Sequence, residues 1–197
     1  MKWLASLPVL ILMQYSSYAQ SDIYKQPASV GVHFIFNDFI TPSAIRSSSL
    51  SSVIRDDKFS NLSDMSQGLA ITYGRGLNNH FDFYGGLCGS FLSYPLKNQP
   101  NRDREALLIE ADASLRGKMF TDKSRFVPYL QAGAGVSKYK GYFGAFIPLG
   151  AGLQFNFFGE AYLQINTQYR VAVTESVSAH FVHSIGLVAN VGKKEND

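Results

Sequence analysis

The most constraining feature of this sequence is the regular alternation of polar and apolar residues between Gly159 and Val173. One parity is polar and the other is mostly apolar: Glu160, Tyr162, Gln164, Asn166, Gln168 and Arg170 against Ala161, Leu163, Ile165, Thr167, Tyr169 and Val171. Successive side chains of a β-strand point to opposite faces, so this segment predicts a strand with one polar and one apolar face. A tilted strand of about ten residues can cross a bilayer. The polar face then lines a closed barrel and the apolar face contacts lipid.

Similar alternation recurs along the chain and predicts eight strands. Their bounds are 28–38, 66–76, 81–91, 105–118, 126–139, 143–157, 159–173 and 178–192. An even strand count is typical of bacterial outer-membrane barrels and places both ends of the barrel in the periplasm. The sequence therefore predicts an all-β fold, an eight-stranded antiparallel up-and-down transmembrane β-barrel over residues 20–192.

The first residues have the pattern of a secretory signal peptide. A basic start is followed by an apolar run from Leu4 to Met13, and Ser17-Tyr18-Ala19 precedes a polar residue. The run is too short for a membrane-spanning helix of roughly 20 residues, so an export signal is favoured over an anchor. We expect residues 1–19 to be removed, residues 193–197 to form a charged periplasmic tail, and the protein to reside in the outer membrane of a Gram-negative bacterium.

Composition excludes some classes of function. The formal net charge is +3 and the charges are scattered, which argues against a nucleic-acid partner. The single cysteine, Cys88, excludes an internal disulfide framework and is expected to line the barrel.

The inward face of the predicted barrel carries many polar residues, and an eight-stranded barrel is narrow enough for side chains to fill it. The predicted lumen network consists of Asp82, Glu110, Asp112, Arg116, Glu160, Gln164, Arg170 and His180. Because buried charges need partners, we expect Arg116 and Arg170 to meet these acidic residues across the lumen. This predicts a polar plug rather than a wide pore.

The link over residues 39–65 is long and rich in serine, and it reads as an exterior surface loop. Its charged residues are candidate exterior contacts: Arg46, Arg55, Asp56, Asp57 and Lys58. The predicted partners are outer-membrane lipid and lipopolysaccharide, with an unknown extracellular ligand at the loops, and the barrel is expected to be a monomer.

No catalytic, metal or cofactor site is predicted. His180 and His183 point to opposite faces of a strand, so they do not form a joint metal site. The adjacent His183 and Ser184 diverge for the same reason, which disfavours a nucleophile and its base. The Gly133-Ala134-Gly135 and Gly150-Ala151-Gly152 segments precede no helix that could cradle a phosphate.

Several segments resemble small outer-membrane β-barrel proteins of the OmpA-like and OmpX-like kind. They are Val127-Pro128-Tyr129, Gln131-Ala132-Gly133-Ala134-Gly135 and Ile147-Pro148-Leu149-Gly150-Ala151-Gly152-Leu153. The last two strands, with Gln168-Tyr169-Arg170 and His183-Ser184-Ile185-Gly186, resemble versions common in Bacteroidetes-type bacteria. The resemblance implies a monomeric eight-stranded barrel with periplasmic ends and transfers no catalytic residue.

Three functions are compatible with this sequence. A structural or interaction protein of the outer membrane, with no enzymatic activity, is favoured because loops on a rigid scaffold are common binding sites. The first alternative is a narrow, low-conductance channel for small solutes or ions. The second is a soluble secreted barrel or sandwich, which the outward Leu, Ile and Phe residues disfavour because such a surface aggregates in water.

Overall fold

The alternating segments form eight antiparallel strands, and each pairs with the next along the chain until β8 pairs with β1 and closes the barrel. The structure is a computed structural model that describes residues 25–57, 59–92, 106–157 and 160–192. The strands are β1 Ser29–Asp38, β2 Ser66–Gly76, β3 Phe81–Leu92, β4 Ala106–Lys118, β5 Phe126–Tyr139, β6 Tyr142–Phe157, β7 Ala161–Ala172 and β8 His180–Asn190. The predicted all-β up-and-down barrel is confirmed, and strand bounds differ only by a residue or two. The predicted signal peptide and charged tail lie outside the described residues.

The barrel wall is apolar outside and polar inside, the reverse of a soluble domain. Large apolar side chains on the outer face are exposed, among them Val32, Phe34, Ile71, Leu87, Leu115, Leu130 and Leu187. Charged and polar side chains of the opposite parity are buried, among them His33, Glu110, Arg116, Gln164, Arg170 and His180. A closed sheet also leaves no unpaired strand edge, which is the condition for β-structure within lipid.

Inward-facing glycines make room for the largest interior side chains. A Cβ atom added at Gly152 would overlap the Tyr129 hydroxyl, and one added at Gly186 would overlap the His33 ring. The same holds for Gly135 and the ring of Phe146. The glycines of the β5 and β6 motifs therefore serve the packing of a narrow interior rather than ligand binding.

The link between β1 and β2 was predicted only as a surface loop, and the helices within it were not predicted. It contains two short helices, α1 Ile40–Ser47 and α2 Leu50–Arg55, and a 3-10 helix, Leu62–Asp64. The carboxylate of Asp38 accepts hydrogen bonds from the first backbone amides of α1, and Ser49 caps α2 by accepting from Ser52 N at 3.2 Å. Such caps satisfy amides that lack a helical partner, which explains why a serine-rich stretch folds into helices. Among the described helices, none has both the length and the apolarity to cross a membrane.

The two ends of the barrel differ in how they are covered. The end that carries the β1–β2 link, called the upper end here, is covered by Phe39, which stacks on His180 with ring centroids 4.4 Å apart. Phe39 also packs against the buried side chains of Leu92, Leu108 and Tyr139. At the lower end, where β1 begins and β8 ends, the segment 25–28 runs along the rim, and the Gly76 amide donates to the Gln26 carbonyl at 3.0 Å.

Candidate functional site

The charged interior of the barrel is organised by one strand, β4. Its buried face carries, from the upper to the lower end, Leu108, Glu110, Asp112, Ser114, Arg116 and Lys118. A strand rises about 3.3 Å per residue, so the charged part of this face extends over roughly 26 Å. Acidic groups occupy its upper half and basic groups its lower half, and other strands supply the partners. We describe the partners as an upper, a middle and a lower cluster.

The upper cluster forms around Arg170 of β7. Its guanidinium makes a buried ion pair with Glu110, and its Nη2 lies 3.7 Å from Asp112 Oδ1. His180 of β8 places its Nε2 3.7 Å from the same Glu110 carboxylate. The Cys88 thiol lies 3.5–3.6 Å from the guanidinium nitrogens. Four of the predicted lumen residues are thus brought together: Arg170 and His180 from the paired strands β7 and β8, and Glu110 and Asp112 from β4.

The middle cluster surrounds Arg116. The guanidinium carbon lies 3.3 Å from the centre of the Tyr84 ring and 4.4 Å from that of Tyr129, which is cation–π geometry. Its Nε donates to Gln131 Oε1 at 3.1 Å. Since a guanidinium only donates, the Gln164 amide turns its oxygen toward Arg116, and this oxygen also accepts from the Tyr129 hydroxyl at 3.0 Å. Arg116 was predicted to meet a carboxylate, but the contacts described for its guanidinium are made by aromatic rings and side-chain amides.

The lower cluster forms around Lys118, which the sequence argument missed. Its ammonium pairs with Asp82 at 2.8 Å and also with Asp122, and all three side chains are buried. Gln154 donates to Asp122 Oδ1 at 3.0 Å, and Asn156 donates to the Asp122 carbonyl at 3.0 Å. Lys118 has the parity of the other inward residues of β4, so the alternation contained its signal. Asp122 lies in the β4–β5 turn, where no alternation indicates which way a side chain points.

The prediction that Glu160 faces the lumen was wrong. Glu160 is exposed and lies immediately before β7, where its backbone carbonyl accepts from the Asn190 amide at 2.8 Å. The sequence alternation continues through this position, but β7 begins at Ala161. Glu160 therefore lies beyond the end of its strand, at the rim, and is not part of the interior network.

The candidate contacts of the β1–β2 link lie at the surface of the upper end. Arg46, Arg55, Asp56 and Asp57 are exposed. Arg55 Nε lies 3.4 Å from Asp56 Oδ1 in a solvated ion pair. Lys58 lies outside the described residues.

A cavity of about 30 Å³ lies between the upper and middle clusters, and its lining includes His33, Asp112, Asn166, Gln168 and Arg170. This volume suits one or two water molecules in a polar setting. In the part of the chain that the structure describes, no three His, Cys, Asp or Glu side chains are grouped to hold a metal ion.

Comparison with known proteins identifies the fold. No protein-family model matches the chain, and no curated protein matches it. Among solved structures, the N-terminal β-barrel domain of OprF from Pseudomonas aeruginosa is similar, with a TM-score of 0.56 and 9% identity over 84% of this chain and 98% of that one. Neisserial surface protein A, NspA, is similar with a TM-score of 0.57 and 13% identity over 84% and 98% of the two chains. The chain therefore has the fold of these small eight-stranded outer-membrane barrels.

Proposed function

We propose that this protein resides in the outer membrane of a Gram-negative bacterium and has a structural or surface-interaction role without catalysis. The observation that carries the proposal is the inverted wall, in which exposed leucine, isoleucine and phenylalanine side chains surround a closed barrel with a charged interior. Water does not tolerate an apolar surface of this extent, whereas a bilayer requires it. The outer-membrane setting of proteins with the same fold supports this location.

The barrel acts in this proposal as a rigid anchor with a plugged lumen. The three interior clusters support a plug because each buried charge there has a partner on another element, as in Arg170 with Glu110 and Lys118 with Asp82. Such pairs are costly to break, since one partner is then left charged in a medium that solvates it poorly. In this proposal the links at the upper end contact molecules outside the cell. Their exposed charged residues include Arg46, Arg55 and Asp56.

Cell fractionation and thiol labelling test this proposal. We expect the protein to pellet with outer membranes and to need detergent for extraction. In intact cells, a membrane-impermeant maleimide should label an Asp57→Cys variant at the upper end but label a Lys123→Cys variant at the lower end only after lysis. Native Cys88 is buried and should give little background. Recovery in the soluble periplasm, or the opposite labelling pattern, would contradict the location or the orientation.

A narrow channel is the second candidate function, and the small polar cavity beside Arg170 is the observation that favours it. Water there could form part of a path past the charged clusters. Planar-bilayer recordings separate the two functions: discrete current steps that change in size in an Arg170 variant would favour a channel. A silent bilayer, with folded protein verified in it, would remove the channel.

A further inference from the structure

The β1–β2 link carries an unusual number of exposed apolar side chains for a segment that is otherwise rich in serine. At least two-fifths of each of five large apolar side chains is exposed: Ile40, Leu50, Ile54, Phe59 and Leu62. Single exposed apolar residues are common on any surface, but a group of them within one short segment marks a site of protein or membrane contact.

Helix α2 shows that these side chains are sorted by face. Leu50 and Ile54 are four residues apart and so lie on one side of the helix, where both are exposed. Val53 is buried toward the protein, and Arg55 lies about 100° around the helix from Ile54, on the polar side. About half of Leu50 and of Ile54 is therefore exposed on one side of α2, next to the side on which Val53 is buried.

The end of the link lies against the outside of the barrel, not over its mouth. The Phe59 ring packs near Phe181 with centroids 6.3 Å apart, and Ser60 Oγ lies 3.2 Å from His183 Nε2. Phe181 and His183 share the parity of Leu187, which belongs to the exposed outer wall of β8. The Phe59–Ser60 end of the link is therefore continuous with the surface that faces lipid in the proposed function.

The polar groups at this level of the outer wall are paired with one another. His183 Nδ1 lies 3.1 Å from Thr167 Oγ1 on β7, and the other ring nitrogen, Nε2, is the one in contact with Ser60 Oγ. The neighbouring rings of Phe181 and Tyr169 are 5.0 Å apart. Satisfied polar groups among aromatic rings are characteristic of the boundary between headgroups and acyl chains.

From these observations we propose that the β1–β2 link is a membrane-interface element, whose exposed apolar side chains contact the lipid of the outer leaflet. The inference rests on the proposed function, because it requires the barrel to span a bilayer. Lipid is the occupant because the patch continues the lipid-facing wall. The formal charges of the link cancel, which disfavours a strongly charged partner; they are Arg46, Arg55 and Lys58 against Asp56, Asp57 and Asp64. The polar side of the link remains free for contacts outside the cell.

Depth-dependent quenching of tryptophan fluorescence tests this proposal. The only tryptophan is Trp3, so the chain from Gln20 onward accepts a single reporter. Each variant is refolded into phosphatidylcholine vesicles with bromine atoms at defined acyl-chain depths. Ile54→Trp reports on the apolar side of α2, Arg55→Trp is its matched control on the polar side, and Leu187→Trp marks the lipid-facing wall. A shift in electrophoretic mobility on heating verifies folding of each variant.

An interfacial helix buries its apolar side about 5–10 Å into the boundary, so we expect bromines near the glycerol end to quench Ile54→Trp about twofold more than Arg55→Trp. Leu187→Trp should be quenched most by bromines deeper in the chain. If Ile54→Trp is quenched no more than Arg55→Trp while Leu187→Trp is quenched, the link projects into water and this inference is wrong, although the barrel still spans the bilayer. If Leu187→Trp is not quenched, the proposed function fails and the inference fails with it.

Discussion

The two faces of β4 share one backbone but experience opposite surroundings. The inward face carries Glu110, Asp112, Arg116 and Lys118, and each of these side chains is nearly inaccessible. The outward face carries Leu107, Ile109 and Leu115, which are exposed. The same contrast is repeated around the barrel. It shows that the interior depends on specific pairing, whereas the exterior depends only on being apolar and in contact with lipid.

This difference has an energetic consequence. An interior charge is stable only with its own partner, so replacing one residue leaves another in an unfavourable state. An exterior leucine has no specific partner to lose, so only a change in polarity matters there, and the effect depends on depth. Substitutions inside the barrel should therefore cost more than comparable substitutions on its outer wall.

Breaking the upper interior cluster should have the largest effect. Arg170→Met removes the cation that pairs with Glu110 and should lower the free energy of unfolding by about 3–5 kcal/mol, since a buried carboxylate is left without its partner. Urea unfolding in lipid vesicles measures this. The double variant Arg170→Met/Glu110→Leu should recover part of the loss, because it removes the unpaired Glu110 carboxylate, although Asp112 still loses its contact with Arg170. Equal losses in the single and double variants would show that the pairing is not what stabilises this cluster.

On the exterior, a charge at mid-strand should cost somewhat less and should depend on depth. Ile71 lies in the middle of β2 and pairs with Val32 and Leu87, all on the outer face. Ile71→Arg should lower the free energy of unfolding in vesicles by about 2–4 kcal/mol, whereas Leu107→Arg, at the upper end of β4, should lower it by about 0–1 kcal/mol. Equal effects at the two positions would contradict a lipid-facing wall, because a wall exposed to water would be in the same medium at both positions.

Interior packing should respond to a single methyl group. A Cβ atom at Gly186 would overlap the His33 ring and the Val32 carbonyl, so Gly186→Ala should lower the free energy of unfolding by about 1–3 kcal/mol. Gly89→Ala is the matched control, because the nearest atom to its new Cβ is Leu107 Cδ1 at 3.8 Å on the outer side. This control should change stability by no more than about 0.5 kcal/mol. A costly Gly89→Ala would indicate that the wall, not the interior, is the tightly packed side.

The contrast between the faces also explains which features the sequence could predict. Alternation reports the surroundings of each strand, so it identified the eight strands and the inward parity of residues such as Glu110 and Arg170. It does not report register, so it could not choose aromatic and amide partners for Arg116. Alternation carries no information beyond the ends of the strands. For this reason Glu160 was wrongly assigned to the lumen, and the contribution of Asp122 to the interior was not predicted. The helices of the β1–β2 link depend on local caps such as Ser49, which alternation does not detect.

The smallest expected effect comes from an ion pair of the same chemistry in the opposite surroundings. Arg55 and Asp56 form an exposed pair on the β1–β2 link, with side-chain exposures of 78% and 45% against 3% and 1% for Arg170 and Glu110. Asp56→Asn should change the free energy of unfolding by only about 0–1 kcal/mol, because water solvates both charges when they separate. Measurement in the same vesicles as Arg170→Met makes the comparison direct. A loss at Asp56 as large as the loss at Arg170 would mean that the link, rather than the interior of the barrel, holds the fold together.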